Sequence, residues 1–397
     1  MNELSVIKAV LLIIPAILLL MLLLPARRWR LPVAVVGGVA VAFAATAWLP
    51  SGILAYVASF ATMGCVYALL SLGLNTQWGY TGHLNFGVAG FFAIGAFTSA
   101  LMTIEAPTGV AAQYTQMAFG LDMPFLVGVA TAAIISAVVA FLVAVPVLRL
   151  RMDFLAIATI GVAEIIRLIF QNERWLANGP QPLRGIPQPL HCLVEAQGCA
   201  WLPQWATAVL SPLTPRDYTL FYLVIISLFL AVVYFVIERA CRSPWGRMLR
   251  AVRDEEASAA MNGKPITYVR IQSFVVGAVI MGIAGALYAH YVVTIDYSHF
   301  HALFATFLVW VMLMLGGSGN NRGAIIGGFI VWGVWSGTAF LTSAIEPLLA
   351  LISDDLPRRA AYFRWMLVAL MLAAIVLFRP QGLIREEKIV SRYLRNH

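Results

Sequence analysis

RSPWGRMLRAVRDEEASAAMNGKP, residues 242–265, is the longest densely charged run in a chain of 397 residues that is 61% hydrophobic and only 11% charged. Soluble domains carry roughly 25% charged residues, so the chain reads as an all-α polytopic membrane protein. Long apolar segments flank the run on both sides. They must hold it at one membrane face, where a rigidly set polar loop is placed to touch a partner.

Working outward, a span needs about 20 apolar residues. Candidate spans fall at 5–25, 32–49, 52–74, 86–103, 124–148, 154–171, 218–239, 270–293, 301–315, 323–344 and 361–378, several of them short, Gly-broken and partly re-entrant. With the charged run in the cytoplasm, the segments 27–30, 75–85, 149–153, 316–322 and the C-terminal tail also lie inside. That side then holds about 18 of the 26 Lys and Arg, the positive-inside bias. The N-terminus falls outside. Its apolar run lacks a basic n-region and a cleavage site, and Arg27, Arg28 and Arg30 follow it, so it reads as a retained span. The expected organisation is two N-terminal spans (1–50), a core (51–384) and a tail (385–397).

The net charge of +8 belongs to loops beside apolar segments, which argues against a nucleic-acid partner. The one Gly-Lys pair, Gly263-Lys264, is followed by Pro265, so no phosphate-cradling loop is present. His83, His290, His299 and His301 are scattered and lack the spacing of metal ligands. No nucleophile elbow or zinc-binding helix motif supports catalysis. The external segment 172–217 contains Cys192 and Cys199, which could form a disulfide or remain two thiols.

Glycine interrupts two spans: Gly73 to Gly87, including Asn75, Gly79, Gly82, His83 and Asn85, and Gly316 to Gly323. Non-helical backbone at membrane depth survives only where protein or a water-filled cavity satisfies it. Such paired breaks point either to a substrate pathway or to tight turns at the interface. Glu164 and Arg167 share a helix face inside a span and can pair, either lining a pathway or serving structure alone.

In the opening run, Pro244 and Gly246 allow a turn and a short amphipathic helix is expected from Arg247 to Gly263, which can cap it. Asp254, Glu255 and Glu256 would be repelled by anionic lipid, so a protein partner is favoured over a membrane surface.

The run resembles the coupling segment of ABC-importer membrane subunits, in particular the branched-chain amino-acid permease family of the LivM type. GLNTQWGYTGHLNFGVAGFFAIGAF (73–97), LRLRMDFLAIATIGVAEIIRLI (148–169), AGALYAHY (284–291), LGGSGNNRGAIIGG (315–328) and LFRPQGL (377–383) are similar to that family in the same order. The resemblance implies a bacterial inner-membrane permease for branched-chain or related amino acids. It implies a second homologous permease subunit, two cytoplasmic ATP-binding subunits and a periplasmic amino-acid-binding protein as partners. ATP and Mg would be used by the ATPases, with no cofactor bound by this chain. Carried over, Gly246, Arg250, Arg253, Asp254, Glu255, Glu256, Ala257 and Gly263 form the coupling loop. Asn75, Gly79, Gly82, His83, Asn85, Gly87, Glu164 and Arg167 lie nearer the translocation path. Departures from the family pattern at His83, Asn85 and Val88 bear on substrate preference, and urea or short amides remain an alternative cargo. A self-sufficient secondary transporter is the rival class and would depend on Glu164.

Overall fold

The computed structural model describes residues 3–24, 30–108, 117, 119–191, 215–350 and 356–386. Among these, every expected span falls on a helix. The helices are α1 (Glu3–Leu23), α2 (Arg30–Trp48), α3 (Ser51–Leu74), α4 (Val88–Thr103), α5 (Phe125–Val147), α6 (Met152–Asn172), α7 (Tyr218–Arg242), α8 (Pro244–Asp254), α9 (Glu256–Met261), α10 (Ile266–Val292), α11 (Leu308–Gly316), α12 (Asn321–Ala350) and α13 (Leu356–Phe378). Proline sets several starts, since it lacks the N–H that a first turn leaves unpaired. Pro50, Pro124 and Pro265 stand at the N-caps of α3, α5 and α10, and Pro244 opens α8.

Six helices among the described residues are long and apolar enough to cross a membrane: those within 5–23, 30–48, 51–79, 125–147, 218–242 and 266–292. The 16 residues of α4 reach only about 24 Å, less than the roughly 30 Å hydrocarbon core. Residues 303–316 form another short apolar helix. Each short helix joins irregular backbone. α3 winds into a π-turn over Asn75–Gly79, and residues 82–87 are irregular before α4. A second π-turn, Leu303–Phe307, which the sequence reading did not anticipate, feeds α11.

α10 is the central post, packed on α3, α4 and α5. Its glycines allow backbone-to-backbone approach, the usual means of association where lipid removes the hydrophobic drive. A Cβ on Gly285 would lie 2.1 Å from the Phe92 carbonyl oxygen, and one on Gly95 would lie 2.0 Å from that of Gly282. The core runs continuously through α3, α4, α7, α10 and α11.

The two ends of the bundle are distinct. At one, Lys8 of α1 pairs with Asp217 at the head of α7 at 2.8 Å, both buried. There, β1 (Leu183–Arg184) pairs antiparallel with β2 (Thr294–Ile295), just past the end of α10. His290 bonds both Ser99 and the Pro187 carbonyl, tying the segment after α6 onto the bundle. The charged loop occupies the opposite end of α7 and α10. Residue 217 and the N-terminal end of α1 therefore share one face, in the relative topology read from charge bias.

Candidate functional site

The charged loop is two helices instead of one. Ser243 Oγ accepts from the Trp245 N–H and caps α8, which begins at Pro244, three residues earlier than expected. The chain then breaks at Glu255, whose extended backbone (φ −154°, ψ 97°) separates α8 from α9. The physical cause is the three-acid run: crowding like charges at a helix C-terminus opposes the dipole, and a break there releases them to solvent. Gly263, at φ +70°, closes α9, with the Lys264 N–H donating to the Ala259 carbonyl.

The three arginines of α8 part company. Arg247 faces solvent, whereas Arg250 and Arg253 turn towards the bundle. Arg250 donates to the Cys241 carbonyl at 3.1 Å and lies over the Tyr80 ring. Gly246 allows the turn: a Cβ there would stand 1.9 Å from the Cys241 carbonyl oxygen. Leu249, Val252 and Ala259 are buried against the body. Trp245 donates to Gln272 of α10 at 3.1 Å, and Glu256 pairs with Arg270 of the same helix. The outward side presents Asp254, Glu255, Ala257 and Ala260, with Met261 88% and Tyr268 60% exposed.

Arg253 makes the decisive contact. Its Nη1 donates to the Gly79 carbonyl at 2.5 Å, its Nη2 pairs with Glu386 at 2.9 Å, and its Nε pairs with Asp254 at 3.1 Å. Gly79 ends the first π-turn and sits against the second Gly-broken segment, because its missing Cβ would fall 2.6 Å from the Gly319 nitrogen. Asn75 completes the weld. Its Oδ1 accepts from the Gly319 N–H and its Nδ2 donates to Asn321 Oδ1, both at 2.9 Å. Asn321 in turn donates to Glu238 near the end of α7 at 2.9 Å. The chain after α13 pairs with the end of α11 through Leu383 and Ile384 N–H groups and the carbonyls of Leu315 and Gly316. The two glycine breaks, the charged loop and the start of the tail thus meet at one junction.

The rest of the first break is laced in the same way, with His83 Nε2 the exception. Gln77 donates to the Phe274 carbonyl, Asn85 donates to Gln77 and accepts from the Gly87 N–H, and Ser273 donates to the Thr76 carbonyl. The Phe86 N–H donates to Thr159 of α6 and the Ala89 N–H to Thr306 in the second π-turn. Trp310 stacks on Phe86 with ring centroids 4.6 Å apart and donates to the Asn85 carbonyl. Each net hydrogen bond contributes about 1 kcal/mol, and each buried orphan would cost about 1–3, so this side-chain lacing is what permits an unwound segment here. Asn75, Gly79, His83, Asn85 and Gly87 are all buried; Gly82, at φ +75°, faces Arg253. His83 Nδ1 pairs with Thr81, and its Nε2 has no protein partner.

Glu164 and Arg167 stand apart from this junction, towards the other end of α6. Arg167 Nε donates to both Glu164 oxygens at 3.0 Å, its Nη1 to Gln171, and its guanidinium lies 5.7 Å from the Tyr297 ring centre. Glu164 remains 42% exposed at its side chain, beside a surface of Ile165, Leu168 and Ile169. Sequence reading missed Glu238, Ser273, Thr306, Trp310, Asn321 and Glu386, which complete the lacing from remote elements. Only the Glu238–Arg242 spacing of four carried a local signal. Cys192 and Cys199 lie outside the described residues. Among the described residues no group of His, Cys, Asp or Glu could hold a metal ion.

A multi-pass, all-α membrane protein with two broken helices locked beneath a charged loop is the architecture of a permease. The chain belongs to the family described as branched-chain amino acid transport system / permease component, whose model matches residues 56–375. It is 29% identical to the high-affinity branched-chain amino acid transport system permease protein LivM of Salmonella typhimurium, over 82% of this chain and 69% of that protein. It is 27% identical to a probable LivM permease of Methanocaldococcus jannaschii, over 82% and 92% of the two chains. It is also 25% identical to LivH of Escherichia coli, over 81% and 94%. No solved structure matches it significantly.

Proposed function

We propose that the chain is one membrane subunit of an ABC importer that carries branched-chain or related amino acids into the cytoplasm. The motive force is ATP hydrolysis in two cytoplasmic partner subunits, and the cargo is delivered by a periplasmic binding protein. A second, homologous permease subunit completes the pathway, a reading supported by similarity to both LivM and LivH relatives. The chain then sits in the bacterial inner membrane with its N-terminus periplasmic and its C-terminus cytoplasmic.

The observation that carries the reading is the two-sided loop. Its outer side offers acids, alanines and Met261 to a partner, while its inner side bonds the first glycine break through Arg253, and Asn75 welds that break to the second. A rigid motion of a docked ATPase would therefore pull directly on the broken helices, giving alternating access. A self-sufficient transporter would need Glu164 available for ion coupling, and Arg167 holds it in a bidentate pair.

Reconstituted with both ATPase subunits, a second permease subunit and a binding protein, the chain should take up leucine, isoleucine or valine only with ATP. Uptake by this chain alone, driven by a proton or sodium gradient, would overturn the assignment. Docking has a separate test. Glu256→Arg would also break the Arg270 pair, so Ala257→Arg is the cleaner probe, its side chain being exposed on α9. It should weaken ATPase association about tenfold, or ~1.4 kcal/mol, with normal insertion; unchanged co-purification would count against the docking face.

A further inference from the structure

At the loop's end of the bundle an open cleft of about 620 Å³ is lined by residues of α2, α7 and α12. Four arginines line it, Arg30, Arg239, Arg242 and Arg322, with Glu238 as the acid among its lining residues. Glu238 is already engaged, by Arg242 at 2.7 Å through one oxygen and by Asn321 through the other. Arg322 donates to the Tyr234 hydroxyl at 3.1 Å, and Arg30 to the Met21 carbonyl. Neither these two nor Arg239 has a carboxylate partner among the described residues. The cleft therefore holds an excess of fixed positive charge in guanidinium groups, whose planar donors suit a phosphate oxygen pair.

Depth and shape narrow the ligand. Arg30 is the first residue of α2, Arg322 the second of α12, and Arg239 stands three before the end of α7, which is the level of lipid headgroups on spanning helices. Leu228, Val232, Phe235 and Arg239 follow at spacings of four, three and four, one helix face. The three apolar residues are 53%, 53% and 42% exposed. An apolar track that runs up a span and ends at guanidiniums in excess of the one carboxylate beside them has the outline of a phospholipid, acyl chain first and phosphate last. A free phosphate would use the arginines and have no use for the track.

We propose that this cleft is a binding site for an anionic phospholipid, its phosphate held by Arg239 and Arg322 and an acyl chain lying along Leu228, Val232 and Phe235. The site does not depend on the transport reading, which only assigns the leaflet as cytoplasmic.

The test uses the full chain in its complex with its partner subunits, purified in a non-ionic detergent and incubated with phosphatidylglycerol or phosphatidylcholine. Native mass spectrometry then counts retained lipid. Phosphatidylglycerol should be retained selectively, with affinity falling about fivefold for Arg239→Gln and about thirtyfold for the Arg239→Gln/Arg322→Gln pair, at roughly a headgroup contact per arginine. Arg239 is exposed and makes no hydrogen bond or ion pair among the described residues, so the single variant remains informative if the pair fails to fold. Arg149→Gln/Arg151→Gln removes the same charge from exposed sites on the same face and should leave retention unchanged. Equal loss in that control, equal retention of phosphatidylcholine, or unchanged retention in the paired variant would each overturn the site. So would displacement by sn-glycerol 3-phosphate, mole for mole, which would mark a free-phosphate site. Loss of a partner subunit from the Arg239→Gln/Arg322→Gln complex with lipid retention intact would mark the cleft as a protein interface and likewise defeat the proposal.

Discussion

Arg253→Ala is expected to reduce ATP-driven uptake at least tenfold while the ATPase subunits still assemble and hydrolyse ATP. The guanidinium joins the Gly79 carbonyl, Glu386 and Asp254, and hydrogen bonds to a charged group are worth about 1.5–3 kcal/mol each. Alanine removes them together and cuts the loop's bond to the first glycine break, leaving it tied to α7 and α10 through Arg250, Trp245, Glu256 and its apolar face. Partner motion would then move α8 without moving the glycine breaks, so hydrolysis and uptake should separate. Arg253→Lys should be intermediate, because a point-charge ammonium cannot span a carbonyl and a carboxylate as the planar fork does. Glu386→Gln should cost less than either, since the Gly79 contact survives. Parallel measurement of ATPase turnover and leucine uptake in proteoliposomes is the check, and coupled uptake at the wild-type rate in the alanine variant would remove Arg253 from the transmission path.

Gly285→Val should abolish the folded protein. The missing Cβ would lie 2.1 Å from the Phe92 carbonyl oxygen and 2.8 Å from the Ala96 nitrogen, both backbone atoms that no rotamer change can move aside. α10 and α4 would have to separate, and Gly95, in contact with Gly282 on the same helix pair, would lose its own packing. Overpacking ordinarily costs 1–3 kcal/mol; with backbone on both sides, about 4 kcal/mol or more is expected, in the range that unfolds marginal proteins. Gly161→Ala is the matched control. It lies on the exposed side of α6 with nothing within 4 Å, so detergent-solubilised melting should stay within about 0.5 kcal/mol of wild type or rise slightly. Loss of the monodisperse peak for Gly285→Val, with Gly161→Ala unaffected, is the expected pair of results; a folded Gly285→Val would mean that the α4–α10 approach is looser than drawn.

The spans were legible because continuous apolarity over a bilayer's width leaves a chain no other secondary structure. The Glu164–Arg167 pair was legible because a spacing of three on a helix fixes neighbours without tertiary knowledge. The loop was half legible. Its amphipathic pattern and its Gly263 cap were readable, but the break at Glu255 and the inward turn of Arg250 and Arg253 were not. A polar residue at a helix surface has two places to go, water or a carbonyl on another element, and local pattern does not choose between them. The second π-turn at Leu303–Phe307 was invisible for a related reason. Its composition is that of an ordinary apolar helix, and its irregular geometry is stabilised by Thr306 bonding backbone near residues 86–89.

The sequence by itself determined a multi-pass helical chain, the face that carries its charge, and the two places where glycine interrupts a span. Only the tertiary structure decided that these two interruptions are one site. Asn75 meets Gly319 and Asn321 across 244 and 246 positions of chain, and Arg253 and Glu386 arrive from two further segments. Apolar periodicity is a property of neighbours along the chain, so sequence carries it openly. A hydrogen bond across the bundle depends on which helices pack together, and that is settled by backbone approach at glycines such as Gly95 and Gly285, where the side chain that would announce the contact is absent.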